Sequence, residues 1–316
     1  MKNFSYLQPK TFAEASAALQ GAHSVAKGAG TDLLDLLKKR IVEPDAVVSL
    51  LPVKDEEKQG EISALATLQD LATDEWVKLE FPALRTAADE AATPQVRNVG
   101  TVGGNLGQAS RCWYLRTPGH ACIKLGDKQC AAGAERAENR YHGLFASGGC
   151  HCANPSNLAP ALIAVKARAA CVHPDGDRVM DIELLYDGVK PGRMSDLALR
   201  KGELIRSVLL EPSPLARNSV YVEFRERQSF DFAIVSVAAA ADIRDGVVKE
   251  IRIVCGGVAP TPYRAVAAER ALTGKRLDPD AGAKAAVAGA TALSGNRFKI
   301  PVLAELVRRA LKEIAG

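Results

Sequence analysis

Asn98-Val99-Gly100-Thr101-Val102-Gly103-Gly104-Asn105 is the stretch around which the rest of the chain takes its meaning. It lies in a glycine-rich run, 97–108, just after residues 82–91, which read as a helix with Pro82 near the first turn. Glycines let a backbone approach a ligand closely because no Cβ intervenes. Gly100, Thr101, Gly104 and Asn105 are therefore candidate contacts, and Thr101 and Asn105 add side chains that form hydrogen bonds. For this loop alone, a structural turn is the alternative.

Upstream stands a second glycine loop, Lys27-Gly28-Ala29-Gly30-Thr31-Asp32-Leu33. Residues 24–26 before it read as a strand, 32–39 as a helix with leucines on one face, and 46–51 as another strand. Before that unit, Thr11 with Glu14 forms a capping-box signal for a helix ending near Gly21. A strand running through glycines into a helix start leaves backbone N–H groups aimed at one spot, which suits a phosphate or diphosphate. An ordinary tight turn is again the alternative, and the loop lacks the G-x-G-x-x-G spacing of dinucleotide-binding folds. Two such loops can hold one long diphosphate ligand from two sides. Residues 61–72 mix strand and helix signals.

Downstream, the pattern breaks. Seven cysteines stand at 112, 122, 130, 150, 152, 171 and 255, and the first five share a stretch with little periodicity. Cys171 and Cys255 lie in apolar, strand-like runs and read as core residues. The other five lie among Gly, Lys, Arg, Asp and His. Four thiolates are what a cubane iron–sulfur cluster needs, one on each iron. A structural zinc site would show Cys-x2-Cys knuckles, which do not occur, and plain core cysteines are the remaining alternative. His120 and His151 neighbour cysteines, where they could tune a cluster or simply be solvated.

Regular structure resumes as a helix at 157–166 and a strand at 169–173. A Pro/polar stretch at 211–218 marks the expected domain boundary, giving units 1–215 and 216–316, with the cysteine-rich insertion at about 109–153. In the second unit, 232–243 and 247–254 are apolar and β-branched around Arg244-Asp245-Gly246, a hairpin signal. Alanine-rich helices are expected from about 264, 279 and 301. The fold class is thus α+β. Apolar residues make up 47% of the 316 but aromatics only 5%, so the core must rely on close backbone packing. The net charge of +4 comes without a basic block, which argues against a nucleic-acid partner, and no apolar run reaches membrane-spanning length. The N-terminus does not read as a signal peptide, so a cytoplasmic location is expected, or a periplasmic one if a partner carries the signal. No Ser-His-Asp, His-Glu-x-x-His or paired-carboxylate constellation stands out.

These residues resemble a family. Gly28-Ala29-Gly30-Thr31-Asp32-Leu33 is similar to the first flavin loop of the FAD subunits of xanthine dehydrogenase-type molybdenum hydroxylases. The run from Gln95 through Gly100-Thr101-Val102-Gly103-Gly104-Asn105-Leu106 resembles their second flavin motif. Gly256-Gly257-Val258-Ala259-Pro260-Thr261-Pro262-Tyr263-Arg264-Ala265 resembles the signature of their C-terminal domain. Cys112-Trp113-Tyr114-Leu115-Arg116 and Asn139-Arg140-Tyr141-His142 look like landmarks of the subgroup with an extra [4Fe-4S] cluster, the periplasmic aldehyde oxidoreductase and 4-hydroxybenzoyl-CoA reductase type.

The resemblance implies an FAD domain of the vanillyl-alcohol-oxidase and CO-dehydrogenase-flavoprotein type, then a small α+β domain. It implies FAD contacts at Lys27 to Leu33, Gly100, Thr101, Gly104, Asn105, Ser156, Asn157, Leu204 and Glu223. It implies a cluster on Cys112, Cys122, Cys130 and Cys150, with Cys152 as the alternative last ligand. The expected partners are a large molybdenum-cofactor subunit and a small subunit with two [2Fe-2S] clusters, in a heterotrimer. Within it the chain would relay electrons to an external carrier. Three positions depart from the family pattern. Ala29 replaces a glycine, Asn157 an Asp expected on the FAD ribose, and Glu223 a Lys near the isoalloxazine, where a carboxylate would lower the flavin potential. An FAD-poor scaffold or iron–sulfur wire, and a stand-alone flavin reductase, are the competing expectations.

Overall fold

Residues 1–55, 58–228 and 230–316 are described by a computed structural model, and they build three sheets. Strands β1 (Ser5–Leu7), β2 (Ser24–Lys27) and β3 (Ala46–Ser49) pair in parallel in the order β1-β3-β2. Parallel pairing requires crossovers, and helices Phe12–Ala18 and Leu33–Lys38 supply them. Thr11 caps the first as expected, its hydroxyl accepting from the Glu14 N–H at 3.1 Å. The second sheet is antiparallel: β4 (Glu61–Ser63), β5 (Arg168–Val172), β6 (Arg178–Asp181) and β7 (Leu204–Leu209), ordered β4-β7-β5-β6. The ambiguous stretch 61–72 thus contains both signals it showed, β4 and then helix Leu68–Thr73, which starts on a Thr67–Asp70 capping box. The glycine-rich run contains a helix, Val102–Gly107, capped by Thr101.

The third sheet is β8 (Ser219–Phe224), β9 (Val235–Arg244), β10 (Val247–Gly256) and β11 (Tyr263–Arg264), ordered β11-β10-β9-β8. Asp245 and Gly246 turn the β9–β10 hairpin with φ of 53° and 72°, the left-handed pair a two-residue hairpin favours. Side chains alternate across a strand, and β9 uses both faces. Ala238 and Ala240 pack with helices Pro82–Asp89 and Leu158–Ala164, while Val237, Ala239 and Ala241 pack under Val266–Leu272, Pro279–Ala286 and Lys299–Ala315. Small side chains on both faces let helices approach closely, which explains a core so poor in aromatics. The boundary expected at 215/216 falls within helix Pro214–Arg217. The first core runs past it, since Tyr221, Ala238, Ala240 and Val254 share a cluster with Leu84 and Leu162.

The cysteine-rich stretch has only a short helix, Trp113–Arg116, and two 3-10 turns. Polar anchors hold it instead. Buried Lys299 donates to the His142 carbonyl at 2.9 Å and the Gly257 carbonyl at 2.5 Å, and Asn296 donates to the His142 and Gly143 carbonyls at 3.1 and 3.0 Å. Among the described residues, no helix is long and apolar enough to cross a membrane.

Candidate functional site

Parallel β2 ends at the loop 28–32, and this loop opens onto a cleft of about 520 Å³. Lys27, Gly28, Ala29, Gly30, Thr31, Asp32 and Leu33 all line it, facing Thr101, Gly104 and Leu204. Among the described residues, the N–H groups of Ala29, Gly30, Thr31 and Asp32 have no protein acceptor. Unpaired donors in a row beside a cavity suit a diphosphate. The glycines are required by shape. Gly30 has φ +89°, and a Cβ there would meet Lys27 and Leu34 side chains at 3.0 and 3.2 Å. A Cβ on Gly28 would lie 3.1 Å from the Thr101 hydroxyl, and one on Gly104 only 2.8 Å from it. Ala29 is not among the residues with positive φ. The left-handed position falls on Gly30, so alanine next to it costs the loop nothing.

The second glycine loop contributes differently from the first. Its N–H groups are used internally: Val102 donates to the Ala66 carbonyl at 2.9 Å, Gly103 to Ala64 at 2.8 Å and Gly104 to the Thr101 hydroxyl at 3.1 Å. The loop supplies space and the Thr101 side chain rather than backbone donors. Gly100, Asn105, Ser156, Asn157 and Glu223 are not on the cleft wall. Asn105 accepts from the Ser156 hydroxyl at 2.7 Å and from Leu158 N–H at 3.2 Å, tying the loop to the next helix. Residues that motif reading missed close the other side: Ser195, Leu197, Leu199, Lys201, Gly202 and Glu203. Arg178 at 2.7 Å and Arg200 at 3.0 Å outweigh the upward pull of burial on Glu203 and hold its carboxyl down at about 2.

Glu223 and Asn157, two separate departures in the sequence, meet in the fold. The Asn157 amide donates to Glu223 at 3.1 Å, the Tyr221 hydroxyl donates to the same carboxylate at 2.8 Å, and Arg225 pairs with it at 2.8 Å. An Asp at 157 would set two carboxylates against each other, so asparagine is the residue that Glu223 tolerates. Burial pushes the Glu223 carboxyl above its ordinary range, with Tyr221 and Arg225 pulling the other way.

Four of the five clustered cysteines come together, and the fifth, Cys122, is buried outside their shared core. Cys122, Cys150 and Cys152 are buried, and Cys150, Cys152, Ile123 and Val189 form one small core on which Cys112 and Cys130 pack. All are free thiols. Cys130 and Cys152 both lie close enough to Cys150 to shift its thiol. Burial raises the Cys112 thiol to about 12 and also raises Cys122. Cys130 is raised by its contact with Cys150 and then by burial. Cys150 is lowered by Cys130, but Cys152 and burial outweigh this and set it at about 12. Such thiols give up their protons when a metal replaces them. The buried Lys124 ammonium, paired with Asp196, acts on Cys150 and Cys152. A further histidine, besides His120 and His151, stands against these thiols. His142 places Nε2 3.2 Å from the Cys112 sulfur, and burial, then Lys299, lowers its ring to about 4, keeping it neutral.

Among the described residues, no three such side chains surround a single-ion position. A cubane takes one thiolate on each of four irons and does not need its ligands around one point. The soft donors, apolar enclosure and nearby cation fit that group.

The two sites are latched together. Buried Arg116 pairs with Asp32 at 2.7 Å and Asp35 at 2.8 Å, and Arg111 also pairs with Asp32 at 2.8 Å. Asp32 accepts from the Ala109 N–H at 2.8 Å as well. The Asp32 carboxylate, expected to serve the cofactor, is thus committed to the cysteine loop.

Known proteins match the chain along most of its length. Residues 2–212 match the family described as the FAD binding domain in molybdopterin dehydrogenase, and 219–314 match the CO dehydrogenase flavoprotein C-terminal domain. The chain belongs to the molybdopterin dehydrogenase FAD-binding family. It is 35% identical over 285 residues to the aldehyde oxidoreductase FAD-binding subunit PaoB of Escherichia coli (strain K12), covering 86% of this chain and 87% of that protein. It is 27% identical to the carbon monoxide dehydrogenase medium chain of Hydrogenophaga pseudoflava, over 98% and 96% of the two chains. A solved carbon monoxide dehydrogenase from the same organism superposes with a TM-score of 0.74 at 25% identity, covering 98% of this chain and 96% of that one. Membership makes this an FAD-binding subunit of an oxidoreductase, with the α+β fold of the carbon monoxide dehydrogenase medium chains. It sets aside the stand-alone flavin reductase.

Proposed function

We propose that this chain carries FAD in the cleft at residues 27–33 and one [4Fe-4S] cluster on Cys112, Cys122, Cys130 and Cys150, and relays electrons to or from an external carrier. Its partners in this reading are a large subunit holding the molybdenum cofactor and a small subunit with two [2Fe-2S] clusters. The relatives' names support the first half, and the gathering of Cys112, Cys130, Cys150 and Cys152 in one small core, with Cys122 buried outside it, supports the second. One observation carries the flavin assignment: the row of unpaired N–H groups at 29–32 beside a cleft whose shape depends on glycines. Bound FAD supplies exchange of two electrons on one side and single electrons on the other. The chain's own groups hold it. The 29–32 amides take the diphosphate, Lys27 lies beside them, and the 194–205 segment closes the cleft.

Cys150 and Cys152 are one residue apart, so using one of them is the simpler way to complete a set of four. Cys150 is the last ligand in this reading. Cys150→Ser should lower iron content and bleach the broad visible absorption, whereas Cys152→Ser should leave both near wild type. The reverse result transfers the role to Cys152. Unchanged iron in all five single variants ends the cluster assignment and leaves the FAD subunit alone.

A further inference from the structure

A second cavity, of about 350 Å³, lies outside the flavin cleft, between the cysteine loop and the segment after β8. We propose that it binds a planar, uncharged, conjugated electron carrier of one or two rings, a quinone, beside Cys112. The proposal rests on the reading of Cys112 as a cluster ligand.

The walls decide the ligand class. Trp113, Tyr141 and Phe232 line the cavity, and Tyr141 and Phe232 are 39% and 42% exposed. Large aromatics kept in water at the edge of a cavity mark a binding surface, and flat apolar walls favour a flat guest. The charged groups there are already paired. Arg111 binds Asp32 at 2.8 Å, Glu226 binds Arg140 at 2.8 Å, and Arg227 faces Asp231 at 3.6 Å. A phosphate would find no uncompensated cation, so a nucleotide carrier does not fit. The volume, at the low end for small-molecule sites, likewise suits one or two rings and not a dinucleotide.

A polar handle remains. Asn154 lines the cavity and is 6% exposed. Its side-chain oxygen accepts from the Ser156 N–H at 3.0 Å, while its NH2 has no acceptor among the described residues. That NH2 keeps contact with solvent in the cavity, where a ligand carbonyl would accept from it. Redox activity follows from the neighbour: Cys112 is on the same wall. Arg111 stacks over Phe232 at 4.8 Å while pairing with Asp32 of the flavin loop, so the cavity is braced against both sites. Reducing a quinone to its hydroquinone takes two electrons and two protons. FAD held at the 27–33 loop would supply, in its reduced form, both the electrons and the protons. A cluster held by Cys112 would supply one-electron exchange at the cavity wall, and the open mouth of the cavity would let the protons exchange with water.

The test uses the full chain as purified with its cofactors, and 1,4-naphthoquinone as probe in equilibrium dialysis. Saturable binding at one site is expected, weakened at least tenfold by Asn154→Leu and by Phe232→Ala. Iron and flavin content should be unchanged in both variants, and reoxidation of the dithionite-reduced chain by the quinone should slow in parallel. NADH should not compete. Absence of binding, binding indifferent to both substitutions, or competition by NADH overturns the proposal. If the chain holds no iron yet binds the probe through Asn154, the site stands and the relay reading fails. If it holds iron and does not bind, the site fails alone.

Discussion

The flavin cleft and the cysteine loop lie side by side and are built in opposite ways. The cleft stands on regular structure. A parallel strand, a glycine turn and a helix place its donors before any ligand arrives, and the antiparallel sheet behind it supplies the opposite wall. The loop has almost no regular structure; burial raises its Cys112 and Cys122 thiols, and Cys150 and burial raise Cys130. One site is set by backbone geometry, the other by side-chain anchors at Arg116, Asn139, Asn296 and Lys299. Backbone-built sites should fail by steric change, and anchor-built sites by loss of a single polar group.

The sharpest way to break this contrast is Gly30→Val. A β-branched residue at φ +89° is strained, and its Cβ would press on Lys27 and Leu34. Flavin content should fall at least tenfold, while iron content falls far less. Full flavin in this variant would mean that the 27–33 loop does not hold the diphosphate.

Arg116→Met tests the latch. Removing one partner of a buried charge pair costs roughly 3–5 kcal/mol. Asp32 and Asp35 keep some contact with water, so about 3 kcal/mol is expected here. Because Arg116 joins the two sites, iron and flavin should decline together, and the urea midpoint should fall. Loss of iron with flavin fully retained would show that the sites are independent.

How much of this could be read from the sequence depends on range. The 27–33 loop was legible because strand, glycine and helix start are neighbours in the chain. The hairpin at 245–246 and the helical content of the tail were legible for the same reason. The 194–205 wall was not, because it reaches the cleft only through the β4-β7-β5-β6 strand order and carries no motif. The internal use of the 102–104 amides was also hidden, since Ala64 and Ala66 reach them through a turn after β4 that no local pattern announced. His142 at Cys112 is a contact across 30 residues.

Glu223 offers the smallest effect and the finest test. Read from the sequence alone, a carboxylate in place of a family lysine should depress the flavin potential strongly. In the fold its charge is countered by Arg225 at 2.8 Å and shared with Tyr221 and Asn157. A paired charge projects a weak field, so Glu223→Gln should raise the flavin midpoint by less than about 60 mV, one tenfold step in a one-electron equilibrium. Stability carries a second sign. Burial holds the folded carboxyl above its unfolded value, so the folded state keeps its proton longer. Wild-type stability should therefore decline as pH rises from the unfolded glutamate value through the raised folded one. Glu223→Gln cannot ionise and should lack that decline, gaining on wild type at neutral pH relative to acid pH. Parallel urea titrations of both proteins across this window measure the difference directly. A midpoint shift well beyond 60 mV would instead place an unscreened carboxylate at the flavin ring and return Glu223 to the role the sequence suggested.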